Sequence, residues 1–320
     1  MNVESLRALA TEYVRDHADA LDLDRDALLV EYVLNWGGFV NYSYRIRDGR
    51  TAYHLKLSMS VEDRTSLQRW MKVGSLLEPY HAPPILEWVD LGTAAGLLFP
   101  FIPGNPPALN DDVLAELVPT LARLNADEAV AAALAPAGRV TARDVYLSSF
   151  HDRFLEDLRG IREERPPFVS RDLVEWLGRE VESLAQAIAA TPAFAEPLKS
   201  PVHGDLWLNN VLWVSGHAWH LIDWDDLRIG DPAADLAALL GPSPDDVRPL
   251  RMLDRVNGSL PAPQRQRLPL LGRATLLDWI IDPLSDWMDA GAAAAYEREV
   301  KTEKERVHCQ ALAHYRHLYG

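Results

Sequence analysis

The densest chemistry in the chain lies in His203-Gly204-Asp205-Leu206-Trp207-Leu208-Asn209-Asn210, followed by Ile222-Asp223-Trp224. Two β-like runs, Val211 to Val214 and Ala218 to Ile222, flank Ser215-Gly216-His217 and read as a small hairpin. With Val214 and Ala218 bordering a three-residue turn, Asn210 falls opposite Ile222 and diagonal to Asp223 at the hairpin's open end. An amide oxygen and a carboxylate are hard ligands. They suit magnesium shared with substrate phosphates, because that ion needs few protein groups. Asp205, on an irregular loop five residues before Asn210, is then expected beside the ion, where a carboxylate can serve an acceptor hydroxyl. Taken alone, Asp205 reads equally as a loop residue capping backbone amides.

Phosphoryl transfer also calls for a glycine turn over the phosphates and a lysine to meet their charge. Between Leu28 and Ser58 the sequence alternates, with Trp36-Gly37-Gly38 and Asp48-Gly49 as turns, the pattern of a three-stranded antiparallel meander. A two-residue turn at Asp48-Gly49 sets Arg47 against Arg50, Asn41 against Lys56 and Tyr42 against Leu55. One face is then Tyr42, Tyr44, Ile46, Tyr53, Leu55 and Leu57. The other carries Asn41, Ser43, His54 and Lys56, which points the lysine beneath the Gly37-Gly38 turn. A glycine pair alone is an ordinary turn and a strand lysine alone an ordinary solvated one. Their chain order with Asp205, Asn210 and Asp223 completes the set.

The elements that position these residues fall into two groups. After the meander come a helix over Val61 to Leu77, a hairpin from Ile85 to Asp90 and Ala95 to Ile102, and the breaker Pro103-Gly104-Asn105-Pro106-Pro107. Beyond it the period is mostly helical, with Leu114, Leu117, Val118, Leu121 and Leu124 on one face and a helical pair from Val145 to Ala190. The expected architecture is α+β: a small antiparallel β lobe over residues 1–103 and a larger, mainly helical lobe over 104–320 that contains the hairpin.

A chain of 320 residues exceeds the usual size of one core, which agrees with two lobes. Thirty-two Lys and Arg against 47 Asp and Glu give a net charge of −15, which disfavours nucleic acid and anionic lipid as partners. The single cysteine, Cys309, excludes an intramolecular disulfide and fits a reducing cytoplasm. No run approaches the ~18 apolar residues of a membrane span. Leu6, Leu9, Tyr13 and Val14 fall at helical spacing in an acidic segment, an ordinary amphipathic helix without a signal peptide's basic start. A soluble protein is expected, and the sequence implies no obligate protein partner.

In His203 to Leu212 and in LIDWDDLRIGDPAADLA, residues 221–237, the sequence resembles the aminoglycoside phosphotransferase and choline kinase family. The family has a protein-kinase-like, two-lobed fold, and the resemblance covers nearly the whole chain. It implies that the first lobe binds nucleotide and the second builds the acceptor site. It also implies that Asp205 positions or deprotonates the acceptor hydroxyl, that Asn210 and Asp223 bind Mg2+, and that Lys56 contacts the phosphates of ATP or GTP. GGFVNYSYRI looks like the family's nucleotide loop, with Gly37, Gly38 and Asn41, and GLLFPFIPG like its hinge. There the carbonyl of Pro100 and the amide of Ile102 would read the base. Asp231-Pro232 is a helix start on its own terms, and the resemblance adds that Asp231 and His203 brace the catalytic loop. Two departures stand out: no glutamate on the helix after Lys56 falls in register to pair with it, and Leu124-Asn125 replaces the family's leucine-histidine.

The implied activity is transfer of a γ-phosphoryl group to a hydroxyl of a small molecule, an aminoglycoside or another amino-bearing alcohol, with choline, ethanolamine or another metabolite as the alternative. A protein of another class, a catalytically silent nucleotide-binding regulator, would retain the same cleft. For the acceptor, Trp207 and Asp225 join an aspartate- and tryptophan-rich stretch: Asp278, Trp279, Asp282, Asp286, Trp287 and Asp289. Its aspartates share one helical face unless Pro283 breaks the helix. Such a face suits a cation, and it equally describes a solvated acidic surface over buried tryptophans.

Overall fold

The computed structural model describes residues 3–34, 41–136, 138–214, 218–240, 256 and 260–320. Gly37 and Gly38, expected over the phosphates, lie outside the described residues, as does the Ser215-Gly216-His217 turn. The chain forms two compact units, Met1–Arg123 with Leu208–Leu227, and Leu124–Trp207 with Arg228–Gly320. Residues 104–123 and the hairpin of residues 211–221 group with the sheet in the first unit.

In the first unit, helix α1 (Val3–Asp16) precedes strands β1 (Leu29–Val33), β2 (Tyr42–Arg47) and β3 (Ala52–Ser58), helix α2 (Val61–Leu77), and strands β4 (Glu87–Asp90) and β5 (Ala95–Pro100). The antiparallel sheet has the order β1-β2-β3-β5-β4. Its apolar face follows the alternation: Tyr44, Ile46, Leu55 and Leu57 are fully buried and pack with Leu6, Ala10 and Val14 of α1. Helix α2 begins where Ser60 accepts from the Asp63 amide, a helix-capping bond. It lays Trp70 against Phe99 of β5, with ring centroids 4.8 Å apart, on the face that carries Lys56.

The β2–β3 register differs from expectation. Ser43, not Asn41, lies opposite Lys56, and Leu57, not Leu55, lies opposite Tyr42. Asp48 is the cause: Oδ1 accepts from the amides of Arg50 and Thr51 at 2.8 Å each, and the Asp48 amide reaches the Thr51 carbonyl at 3.3 Å. The side chain therefore organises a four-residue turn, with Gly49 at φ +94°. A slip of two residues preserves the faces, so Lys56 still points away from the α1 side. Its backbone is fixed by Gly96, where any Cβ would stand 1.8 Å from the Lys56 carbonyl oxygen.

The same unit contains most of α3 (Asp111–Asn125), which crosses into the second. The second unit holds α4 (Glu128–Leu134), α5 (Ala142–Tyr146), α6 (Asp152–Glu163), α7 (Arg171–Ala190) and β6 (Ser200–Val202). The hairpin β7 (Val211–Trp213) and β8 (Trp219–Leu221) belongs to the first unit. The second resumes with β9 (Arg228–Gly230), α8 (Pro232–Leu240), α9 (Ala262–Asp289) and α10 (Glu297–Tyr319). Val174, Leu177, Val181, Leu184 and Ile188 form a buried stripe at helical spacing on α7. Pro283 does not end α9, which runs 28 residues; the nearby Ile280 carbonyl accepts from His308 Nδ1 of α10 at 2.7 Å. No helix among the described residues is long and apolar enough to cross a membrane.

Candidate active site

The β7–β8 hairpin has the register that its spacing predicts. Val211 pairs with Leu221 and Trp213 with Trp219, while the Ile222 amide donates to the Asn210 carbonyl at 2.9 Å. Asn210, buried at the end of the short turn Leu208–Asn210, thus sits one residue across from Asp223. Asp223 adopts φ 68°, ψ 57°, a left-handed conformation that short polar side chains tolerate best. It opens the turn Trp224–Asp226, which is pinned where buried Trp224 Nε1 donates to the Leu221 carbonyl at 2.7 Å.

That turn presents two carboxylates to Lys56. Lys56 Nζ contacts Asp223 Oδ1 and lies 2.9 Å from Asp225 Oδ2. Asn41 Nδ2 donates to the same Asp225 oxygen at 2.8 Å, and Arg69 Nη2 of α2 donates to the Asp225 carbonyl at 2.6 Å. Asp225, expected at the acceptor, is therefore committed to Lys56 and Asn41. It is also the lysine's second carboxylate, which the sequence left unassigned. Burial alone would lower the lysine's pKa, but the two carboxylates more than offset it and hold it above the ordinary range. Burial likewise pushes both aspartates upward. Lys56 overcomes this for Asp223 and holds it ionised, whereas Asp225, beside the Asp223 charge, is pushed up to about 6.

The set fits a divalent ion. Asp223 already holds a cation, the Lys56 ammonium, and Asn210, whose side chain carries a hard amide oxygen, lies across the same hairpin end. No group of three or more His, Cys, Asp and Glu that could enclose a metal occurs among the described residues, and sparse protein ligation is what magnesium accepts when phosphates supply the rest. At the expected hinge, the Phe101 amide donates to the Ala52 carbonyl at 2.9 Å. Alternation then turns the Pro100 carbonyl away from β3, beyond the last β4 pairing at Leu98. Ile102, two residues on, is half-buried.

In the second unit, Asp205 is exposed on a loop between β6 and the hairpin. Gly204 takes φ +92°, a conformation open to glycine, and His203 is fully buried. The loop's amides are held by a residue that sequence reasoning missed: Asp235 accepts from His203 N at 2.8 Å and Gly204 N at 3.0 Å. Asp231 instead forms a buried two-pronged pair with Arg267, at 2.6 and 3.0 Å, and caps Ala233 N at 3.1 Å. The signal for Asp235 was present, one helical turn after Asp231 on the same helix. Asn125, in the place of the family's histidine, donates to the Pro201 carbonyl at 2.8 Å, just ahead of the loop.

Three of the four aspartates of α9 are paired with cations, and Asp289 is exposed. Arg153 of α6 meets Asp278 and lies 3.0 Å from Asp282, and Lys304 of α10 meets Asp286. Burial, only partly countered by these cations, pushes Asp278 and Asp286 up to about 6. Trp287 packs edge-on to Phe168 and beneath Lys301, while Trp207 meets Trp279 edge-on at 5.6 Å.

A sequence model described as the phosphotransferase enzyme family matches residues 31–270, three quarters of the chain. The chain belongs to this family. Viomycin phosphotransferase of Streptomyces vinaceus is 37% identical over 145 residues, covering 43% of this chain and 47% of that protein, so the match spans about half the relative's length. Among solved structures, a microcompartment-associated aminopropanol kinase superposes with TM-score 0.62 at 17% identity, covering 96% of this chain and 97% of its own. The GDP complex of wild-type aminoglycoside 2'-phosphotransferase-IIIa does so with TM-score 0.61 at 16% identity, covering 96% and 99%. At these identities the likeness establishes the fold: α+β and kinase-like, with an antiparallel sheet in one unit and helices dominating the other.

Proposed function

We propose that the protein is a small-molecule kinase that moves the γ-phosphoryl group of ATP or GTP to an alcohol, with Mg2+. The observation that carries this reading is the buried Lys56 on Asp223, with Asn210 across the hairpin, in a chain of the phosphotransferase enzyme family. Lys56 meets the nucleotide phosphates, and Asn210 and Asp223 hold the metal, which when bound draws charge from the β- and γ-phosphates. The Pro100 carbonyl and Ile102 amide read the base, and Gly37, Gly38 and Asn41 belong to the nucleotide-binding segment. Asp205 orients the acceptor hydroxyl and accepts its proton, on a loop fixed by Asp235.

The names of the relatives, a viomycin phosphotransferase and an aminopropanol kinase, favour an amino-bearing alcohol as acceptor, and choline or ethanolamine is the alternative. A reducing cytoplasm suits the single cysteine. The test is ADP and GDP release with and without Mg2+ against a panel of aminoglycosides, viomycin, choline, ethanolamine and aminopropanol. Metal-dependent release with one acceptor supports the reading. Nucleotide binding without turnover on any acceptor supports the silent regulator instead.

A further inference from the structure

We propose that Asp225 is the positioning residue of Lys56, the carboxylate that keeps the ammonium in place once Asp223 is engaged by a metal-bound nucleotide. The inference rests on the phosphotransferase reading and deepens it. Among the described residues, the carboxylates on Lys56 are those of Asp223 and Asp225 alone. A buried lysine left with neither would be an uncompensated charge, so one of them must stay. A metal at Asp223 competes with the ammonium for this carboxylate and weakens its hold on Lys56, whereas the Asp225 oxygen stays with the lysine.

Asp225 is built to stay. Its carboxylate takes Asn41 as well as Lys56, and its carbonyl is gripped by Arg69 from α2. The turn it rides on is pinned by the buried Trp224 indole. Helix α2 offers the lysine no acid of its own: its two acidic residues, Glu62 and Asp63, serve the helix start, with Ser60 and Ser58 as partners. Arg69 instead ties α2 to the aspartate, so the lysine's anchor comes from the turn after the metal-binding hairpin. Asp225 is thus assigned to the nucleotide side of the reaction, acting through Lys56 and touching neither substrate.

A double-mutant cycle on nucleotide affinity tests this without an acceptor. Binding of ADP and of GDP with Mg2+ is measured by calorimetry for wild type, Asp225→Asn, Asp225→Glu, Lys56→Met and the Lys56→Met/Asp225→Asn double variant. Asp225→Asn is expected to weaken binding about 10- to 100-fold, the scale of one charge-assisted hydrogen bond. Asp225→Glu retains the carboxylate and stays within about threefold of wild type. In the Lys56→Met background, Asp225→Asn adds no further loss. Equal losses from Asp225→Asn in both backgrounds mean a general structural role and overturn the proposal. If Asp225→Asn fails to fold, Arg69→Met replaces it in the cycle, with the same dependence on Lys56 expected and the same independence overturning the proposal. Wild-type protein that binds neither nucleotide overturns the phosphotransferase reading, and the anchor role with it.

Discussion

Lys56 and Asp223, 167 residues apart in the chain, hold one another in a part-buried ion pair. The lysine is delivered by strand alternation in the sheet and the aspartate by the register of a small hairpin. Each charge compensates the other's burial. On the proposed reading, nucleotide phosphates and a metal would take over these two partners by separating them.

Substitutions at the hairpin end follow directly. Asn210→Ala and Asp223→Ala weaken magnesium-dependent nucleotide binding, Asp223→Ala more strongly because it removes the formal charge. Calorimetric titrations with ADP, with and without Mg2+, measure both. An Asp223→Ala protein with wild-type metal dependence contradicts the hairpin assignment.

Gly96→Ala tests the backbone that carries Lys56. A Cβ there meets the Lys56 carbonyl oxygen at 1.8 Å, so β3 and β5 must part. The expected cost is about 3 kcal/mol or more, seen in urea melts, with weaker nucleotide binding. Wild-type stability contradicts the packing described.

How far the sequence discloses the fold depends on the range over which each feature is determined. The bounds of α2, Val61 to Leu77, and the register of the β7–β8 hairpin are set by residues close in the chain, and both were legible. The β2–β3 turn was misread because the Asp48 carboxylate, not the Asp-Gly pair alone, decides its length. Its faces survived because the slip was even. The partners Asp225 for Lys56, Arg153 for Asp278 and Lys304 for Asp286 lie on separate elements, and no period or spacing in one element reveals them. Asp235 was missed for another reason, since Asp231-Pro232 already explained the helix start.

Stability should fall on acidification through one histidine on the Lys56 face. Burial first, and then the Lys56 charge, push His54 down to about 4 from its ordinary 6.5. The unfolded chain binds the proton more readily in that window, so the contribution is complete above about pH 6.5 and is lost as pH falls toward 4. His54→Phe should shrink the stability difference between about pH 7 and about pH 4.5 by on the order of 2 kcal/mol. An unchanged difference in urea melts contradicts this.

On α9, Asp286→Asn leaves the mostly buried Lys304 without its full partner. Loss of about 1 to 3 kcal/mol in stability is expected, with nucleotide affinity unchanged. A variant as stable as wild type that instead loses acceptor affinity would return Asp286 to the acceptor site and set aside the pairing described.

The central claim is that Asp205 serves phosphoryl transfer to an alcohol. Transfer of label from γ-labelled ATP or GTP to the acceptor panel, with wild-type protein beside Asp205→Ala, tests it most directly. Labelled acceptor should form with wild type in Mg2+ and fall about 10²- to 10⁴-fold in Asp205→Ala, while nucleotide binding and fold persist. Transfer by Asp205→Ala at the wild-type rate would contradict the account.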